Sequence, residues 1–117
     1  MVLILGGAGA GKKEYARSLG FTDADFSTDV SDGKPVLYDL ETLVRDADVP
    51  FGALLQKKLI LCREVGSGVI PMDTDERKWR EAVGRLCCAL TKEATAVVRV
   101  VAGIPVALKG ELPCISD

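Results

Sequence analysis

The chain has 117 residues with a hydrophobic fraction of 48%, enough for one compact domain over residues 1–117 and too few for two. Lysine and arginine total 15 against 17 acidic residues, a net charge of -2 that leaves no basic footprint for general nucleic-acid binding. Histidine is absent, which excludes Ser-His-Asp and Cys-His nucleophiles, imidazole-ligated metals and any histidine-borne phosphoryl or nucleotidyl group.

From the N-terminus, Val2-Leu3-Ile4-Leu5 is an unbroken apolar run ending in glycines, the pattern of a buried strand in a parallel sheet. It falls well short of the roughly 18 apolar residues of a membrane span, and no charged segment precedes it. A soluble, cytoplasmic protein without membrane contact is expected. Residues 14–19 favour a helix, with Gly20 as its stop. Residues 21–35, rich in Asp, Ser, Thr and Gly, have no period and read as an irregular connection.

Val36-Leu37-Tyr38-Asp39 is a second buried strand, followed by a helix from residue 40 to 47 that Asp48-Val49-Pro50 breaks. Lys58-Leu59-Ile60-Leu61-Cys62 is a third strand, ending at Arg63-Glu64 and a glycine-rich turn. Residues 73–93 form the longest helix, with Trp79, Val83, Leu86 and Leu90 on one apolar stripe. Residues 96–101 and 104–108 are two further strands joined at Ala102-Gly103, too closely to be anything but antiparallel. Strands alternating with helices give an α/β fold, its sheet mostly parallel and closed by this C-terminal antiparallel pair. The four cysteines, Cys62, Cys87, Cys88 and Cys114, contain no C-x-x-C spacing and read as reduced thiols rather than a zinc site or disulfide framework.

The strongest motif is Gly6-Gly7-Ala8-Gly9-Ala10-Gly11-Lys12, which fits G-x-x-x-x-G-K between a strand and a helix. Such a P-loop lets backbone N–H groups and a helix N-terminus face phosphates, while Lys12 reaches the terminal ones; the bland alternative is a glycine-rich turn. The next residue should be Ser or Thr, whose hydroxyl ligates Mg²⁺, but here it is Lys13. A water fills that coordination position, the ammonium substitutes for part of the metal's charge, or the loop no longer supports phosphoryl transfer. Asp39 ends the second strand, where P-loop enzymes hold Mg²⁺ through a carboxylate, and Glu64 ends the next strand facing the same crevice. Lys12, Asp39 and Glu64 are therefore the candidate catalytic residues, Asp39 the candidate metal ligand, and Gly6 through Lys13 the candidate nucleotide-binding loop.

Glu64-Val65-Gly66-Ser67-Gly68-Val69-Ile70-Pro71 resembles a segment of the bifunctional adenosylcobinamide kinase / adenosylcobinamide-phosphate guanylyltransferases of cobalamin biosynthesis. The resemblance continues through Arg77, Arg80, Gly84 and Arg85 and through Val100-Val101-Ala102-Gly103-Ile104-Pro105-Val106 with Lys109. Upstream, Gly6-Gly7-Ala8 with Gly11-Lys12 is similar to the family's P-loop, and Val36-Leu37-Tyr38-Asp39 with Thr42-Leu43 to its acidic strand. The resemblance implies a RecA-like P-loop domain, commonly in a homotrimer. It also implies binding of GTP or ATP with Mg²⁺, phosphorylation of a corrinoid hydroxyl, and GMP transfer through a guanylylated histidine. It gives Arg77, Arg80 and Arg85 interface or nucleotide roles, where composition alone reads a solvated face; Trp79 reads as core or interface packing rather than a corrin platform.

Three departures stand beside Lys13. The family is longer, and the missing stretch falls between Gly20 and Pro35; no histidine exists to carry a guanylyl group; an expected Asn-Gln pair is Cys87-Cys88. Two readings follow: a nucleotide-binding kinase without the guanylyltransferase step, or a family member that binds a nucleotide or partner without turnover.

Overall fold

The structure is a computed structural model that describes residues 1–46, 48–64 and 73–113. Five short strands run parallel and a sixth closes the edge. They are β1 (Val2–Gly6), β2 (Phe26–Ser27), β3 (Val36–Leu37), β4 (Leu59–Arg63), β5 (Ala96–Val101) and β6 (Ile104–Lys109), in the spatial order β2-β3-β4-β1-β5-β6. β1 sits between β4 and β5, with Ile4 opposite Leu61 and Val98. Among the described residues only the β5–β6 pair is antiparallel, joined at Ala102 and Gly103, whose positive φ angles suit the twist of a two-residue hairpin.

Helices cover both faces, which is why the central strands are apolar throughout rather than alternating. On one face Leu3, Leu37, Ile60, Cys62 and Val97 pack against Leu40 of α2 (Leu40–Asp46), Leu54 of α3 (Phe51–Leu55), and Val83 and Leu90 of α4 (Thr74–Glu93). On the other, Ile4, Val36, Leu59, Leu61, Val98 and Val100 pack against Ala16 of α1 (Lys12–Ser18) and Leu19 just after it. The stripe read on the long helix is the one that packs: Val83 and Leu90 are buried, Trp79 and Leu86 partly so. Asp73 starts α4 by accepting the Glu76 amide at 2.7 Å, a cap contributing about 0.5–2 kcal/mol.

Four expectations are revised. The second strand ends at Leu37, because Asp39 has φ 54° and its carbonyl already accepts the Thr42 and Leu43 amides that open α2. Asp39 is thus a helix-start residue in a left-handed conformation, which a short polar side chain tolerates. The third strand includes Arg63. The connection 21–35 is not wholly irregular: a 3₁₀ turn at Asp23–Asp25 leads into β2, which pairs with β3 and forms the sheet edge. The chain after Pro50 forms α3, which no period announces. The glycine-rich turn at 65–72, which carries most of the distinctive 64–71 block, lies outside the described residues, as do Ala47 and Cys114.

Candidate functional site

The glycine loop leaves the C-terminal end of the central strand and enters α1, at the end of a parallel sheet where α/β proteins bind ligands. Gly6 is required by close approach: a Cβ there would lie 2.8 Å from the Val100 carbonyl oxygen. Gly11 caps α1 with φ 99°, and a Cβ on it would press on Gly103 at 3.3 Å. Gly103 in turn donates its amide to the Ala10 carbonyl at 2.8 Å, so the β5–β6 turn buttresses the loop. Lys12 folds back over the loop, its Nζ donating to the carbonyls of Gly6 at 3.0 Å and Gly7 at 2.9 Å.

A cleft of about 400 Å³ opens beside the loop. Ala8, Gly9, Ala10, Gly11, Lys12 and Lys13 line one wall, while Asp39, Glu41 and Arg63 come from the neighbouring strand ends and α2. Lys12 and Asp39, far apart in sequence, are thereby brought to one cavity. Lys13 borders the cleft, but its ammonium sits 4.0 Å above the centroid of the Tyr38 ring. Glu64 is placed differently from Asp39. Its amide donates to the Gly6 carbonyl at 3.0 Å, whereas its carboxylate takes a two-point ion pair from Arg99, at 2.9 and 3.1 Å. It is not among the described residues lining the cleft.

Glu41 and Arg63 escaped the sequence reading. Glu41 is 8% exposed; one carboxylate oxygen accepts the Arg63 amide at 2.9 Å, and its carbonyl accepts the Trp79 indole N–H at 2.8 Å. It therefore locks α2, α4 and the end of β4 around the cleft, while Arg45 stacks over the Trp79 ring, 4.0 Å from its centroid. The available signal was its spacing: an acid two residues beyond Asp39, in the first turn of the helix that follows the acidic strand.

A glycine loop between the central strand of a parallel sheet and its first helix, lysine folded across it, defines an α/β protein of the P-loop class. The family model for cobinamide kinase / cobinamide phosphate guanyltransferase matches residues 39–108, and the chain belongs to that family. The matched span takes in Asp39, Glu41, Arg63, Glu64, α4 and most of the closing hairpin; the glycine loop precedes it. No curated protein gives a significant match to the chain. Membership places it in cobalamin biosynthesis, in a family whose activities use nucleotide and corrinoid substrates. Among the described residues, no helix is long and apolar enough to cross a membrane.

Proposed function

We propose that residues 1–117 are one nucleotide-binding domain that takes GTP or ATP and performs the kinase half of the family's chemistry, transferring a phosphoryl group to a corrinoid hydroxyl. The observation that carries this reading is the convergence of Lys12 and Asp39 on one cleft in a chain of this family. Phosphoryl transfer demands mostly positioning and charge neutralisation, which a loop of backbone amides and one ammonium can supply. Lys12 leaves the Gly6 and Gly7 carbonyls for the terminal phosphates, and the amides around Gly9 to Lys13 cradle the chain of phosphates. Glu64, held by Arg99, fixes the end of β4 against the start of the loop.

The donor set of the cleft fits Mg²⁺. Magnesium prefers oxygen ligands, keeps several waters and needs only one or two carboxylates besides substrate phosphates. Asp39 and Glu41 both line the cleft, and Glu41 already spends one oxygen on the Arg63 amide, so Asp39 is the ligand of choice. When bound there, the cation would neutralise charge on the phosphates. The guanylyl half has no carrier, because the chain has no histidine. Incubation with α-labelled GTP should leave no acid-labile covalent label; a stoichiometric label would move the chemistry to another nucleophile.

The second reading, binding without turnover, is favoured by Lys13, which cannot ligate a cation where a hydroxyl is expected. Calorimetric titration with GTP and with ATP, each with and without Mg²⁺, tests binding, and phosphate transfer to cobinamide separates the two readings. Lys12→Ala should weaken nucleotide affinity at least tenfold, about 1.4 kcal/mol. Unchanged affinity in that variant removes the P-loop reading altogether.

A further inference from the structure

Of the adjacent pair Cys87 and Cys88, only one faces the sheet. Neighbouring residues on a helix of 3.6 residues per turn point about 100° apart, so they cannot share a face. Cys87 packs against the core between α4 and the sheet, its sulfur 3.7 Å from that of Cys62 on β4. Cys88 is exposed and borders a separate surface groove with Phe51 and Arg85. Cys62 is fully buried, whereas Cys87 is only half-buried. The two sulfurs are in van der Waals contact and share an S–H···S hydrogen bond between two well-anchored elements: β4 is paired on both edges, and α4 is pinned by Val83 and Leu90.

We infer that Cys62 and Cys87 are a redox-modification site, at which a hydroperoxide converts the dithiol to a disulfide that staples α4 to β4. The difference in exposure sets the order of events. Cys87 is the more exposed residue of the two, and its hydrogen bond with Cys62 lowers its thiol pKa; the same bond, with burial, raises that of Cys62. The Cys87 thiolate attacks an oxygen of hydrogen peroxide, the O–O bond breaks, and the departing hydroxide takes a proton and leaves as water. Cys87 is then a sulfenic acid. The Cys62 sulfur attacks it, the S–O bond breaks, and the second water leaves with the Cys62 proton. Two thiols have lost two electrons and two protons, and the peroxide has become two waters. The new bond lies one residue from Arg63, whose amide Glu41 holds at the cleft.

The test uses the full chain carrying Cys88→Ser and Cys114→Ser, so that only the pair remains. After stoichiometric hydrogen peroxide, denaturation and N-ethylmaleimide, neither cysteine should be alkylated. Intact mass should fall by about 2 Da, and a peptide linking Cys62 to Cys87 should appear. Adding Cys62→Ala should leave Cys87 as a sulfenic acid that dimedone traps. Should that variant not fold, Cys87→Ser must abolish the mass loss and leave Cys62 free to alkylate. Full alkylation after oxidant, a sulfinic acid on Cys87 without the linked peptide, or a disulfide between two chains overturns the assignment.

Discussion

The two faces of the sheet are built from alternate residues of the same strands, yet they are not equivalent. Leu3 and Ile60 point to a face covered by three helices, and buried leucines from each of α2, α3 and α4 meet them there. Ile4 and Leu61 point to a face on which, among the described residues, α1 contributes Ala16, with Leu19 beside it. The first face holds most of the large side chains locked away from water. The second carries the glycine loop on a seven-residue helix whose position depends on backbone contacts with Val100 and Gly103. Damage on the first face should therefore appear as lost stability, and damage at the loop as lost affinity.

The largest expected effect tests the thick face. Leu90 is fully buried in α4, and Leu90→Ala should cost about 2–5 kcal/mol in urea unfolding through lost transfer energy and a cavity. A cost below about 1 kcal/mol would show that α4 collapses onto the space and that this face is less rigid than its packing suggests. Lys12→Ala sits on the other side of the comparison. It should take at least tenfold from nucleotide affinity while the urea midpoint stays at the wild-type value, since Lys12 Nζ touches only loop carbonyls. A large drop in midpoint would mean that those two hydrogen bonds hold the loop together.

Lys13 gives a smaller and more diagnostic effect. Two unit charges about 4 Å apart interact by about 4 kcal/mol at an effective dielectric of 20, so an ammonium beside the cation would be strongly repulsive. Its contact with the Tyr38 ring, worth about 0.5–1 kcal/mol at an exposed site, holds that charge at the cleft border. Wild-type nucleotide affinity should accordingly depend only weakly on Mg²⁺, and turnover should be slow. Lys13→Ser should raise the ratio of affinities with and without Mg²⁺, by less than the tenfold expected for Lys12→Ala. Strongly Mg²⁺-dependent affinity and fast transfer in the wild type would show that the ring contact removes Lys13 from the reaction.

The parallel sheet was legible because its strands are unbroken apolar runs, and α4 because Trp79, Val83, Leu86 and Leu90 keep a helical period over about three turns. β2 was not: Phe26-Ser27 has no period of its own and is a strand only because β3 pairs with it. α3 was missed for a similar reason, five residues being too few to show a period behind Pro50. At the site, glycine spacing announced the loop, and an acid just after an apolar run announced Asp39, although it starts α2 rather than ending the strand. Glu41 needed the third dimension, since its role comes from the Arg63 amide and the Trp79 indole, both distant in sequence. The side chain of Glu64 could not be placed from position alone, because its partner Arg99 lies across β1 on β5.

The smallest expected effect concerns the segment between β2 and β3. Residues 29–34 are organised around Lys57, which is 5% exposed and donates to the carbonyls of Asp29 at 3.3 Å and Lys34 at 2.7 Å and to the Asp32 carboxylate at 3.2 Å. Asp32 also accepts from the Ser27 hydroxyl and the Lys34 amide, and these donors hold its carboxyl down at about 2, against an ordinary 3.8. Ser31 lowers Asp29 in the same direction. A depressed carboxyl means that the unfolded chain binds more protons than the folded one between these values. The stability it contributes is therefore complete above about pH 4 and is lost as pH falls through about 2. Urea midpoints measured at pH 5, 4 and 3 should stay level and then fall, with a shallower fall in Asp32→Asn, which cannot titrate. An equal fall in that variant would assign the acid sensitivity to other carboxylates and leave Lys57 anchored by the two carbonyls alone.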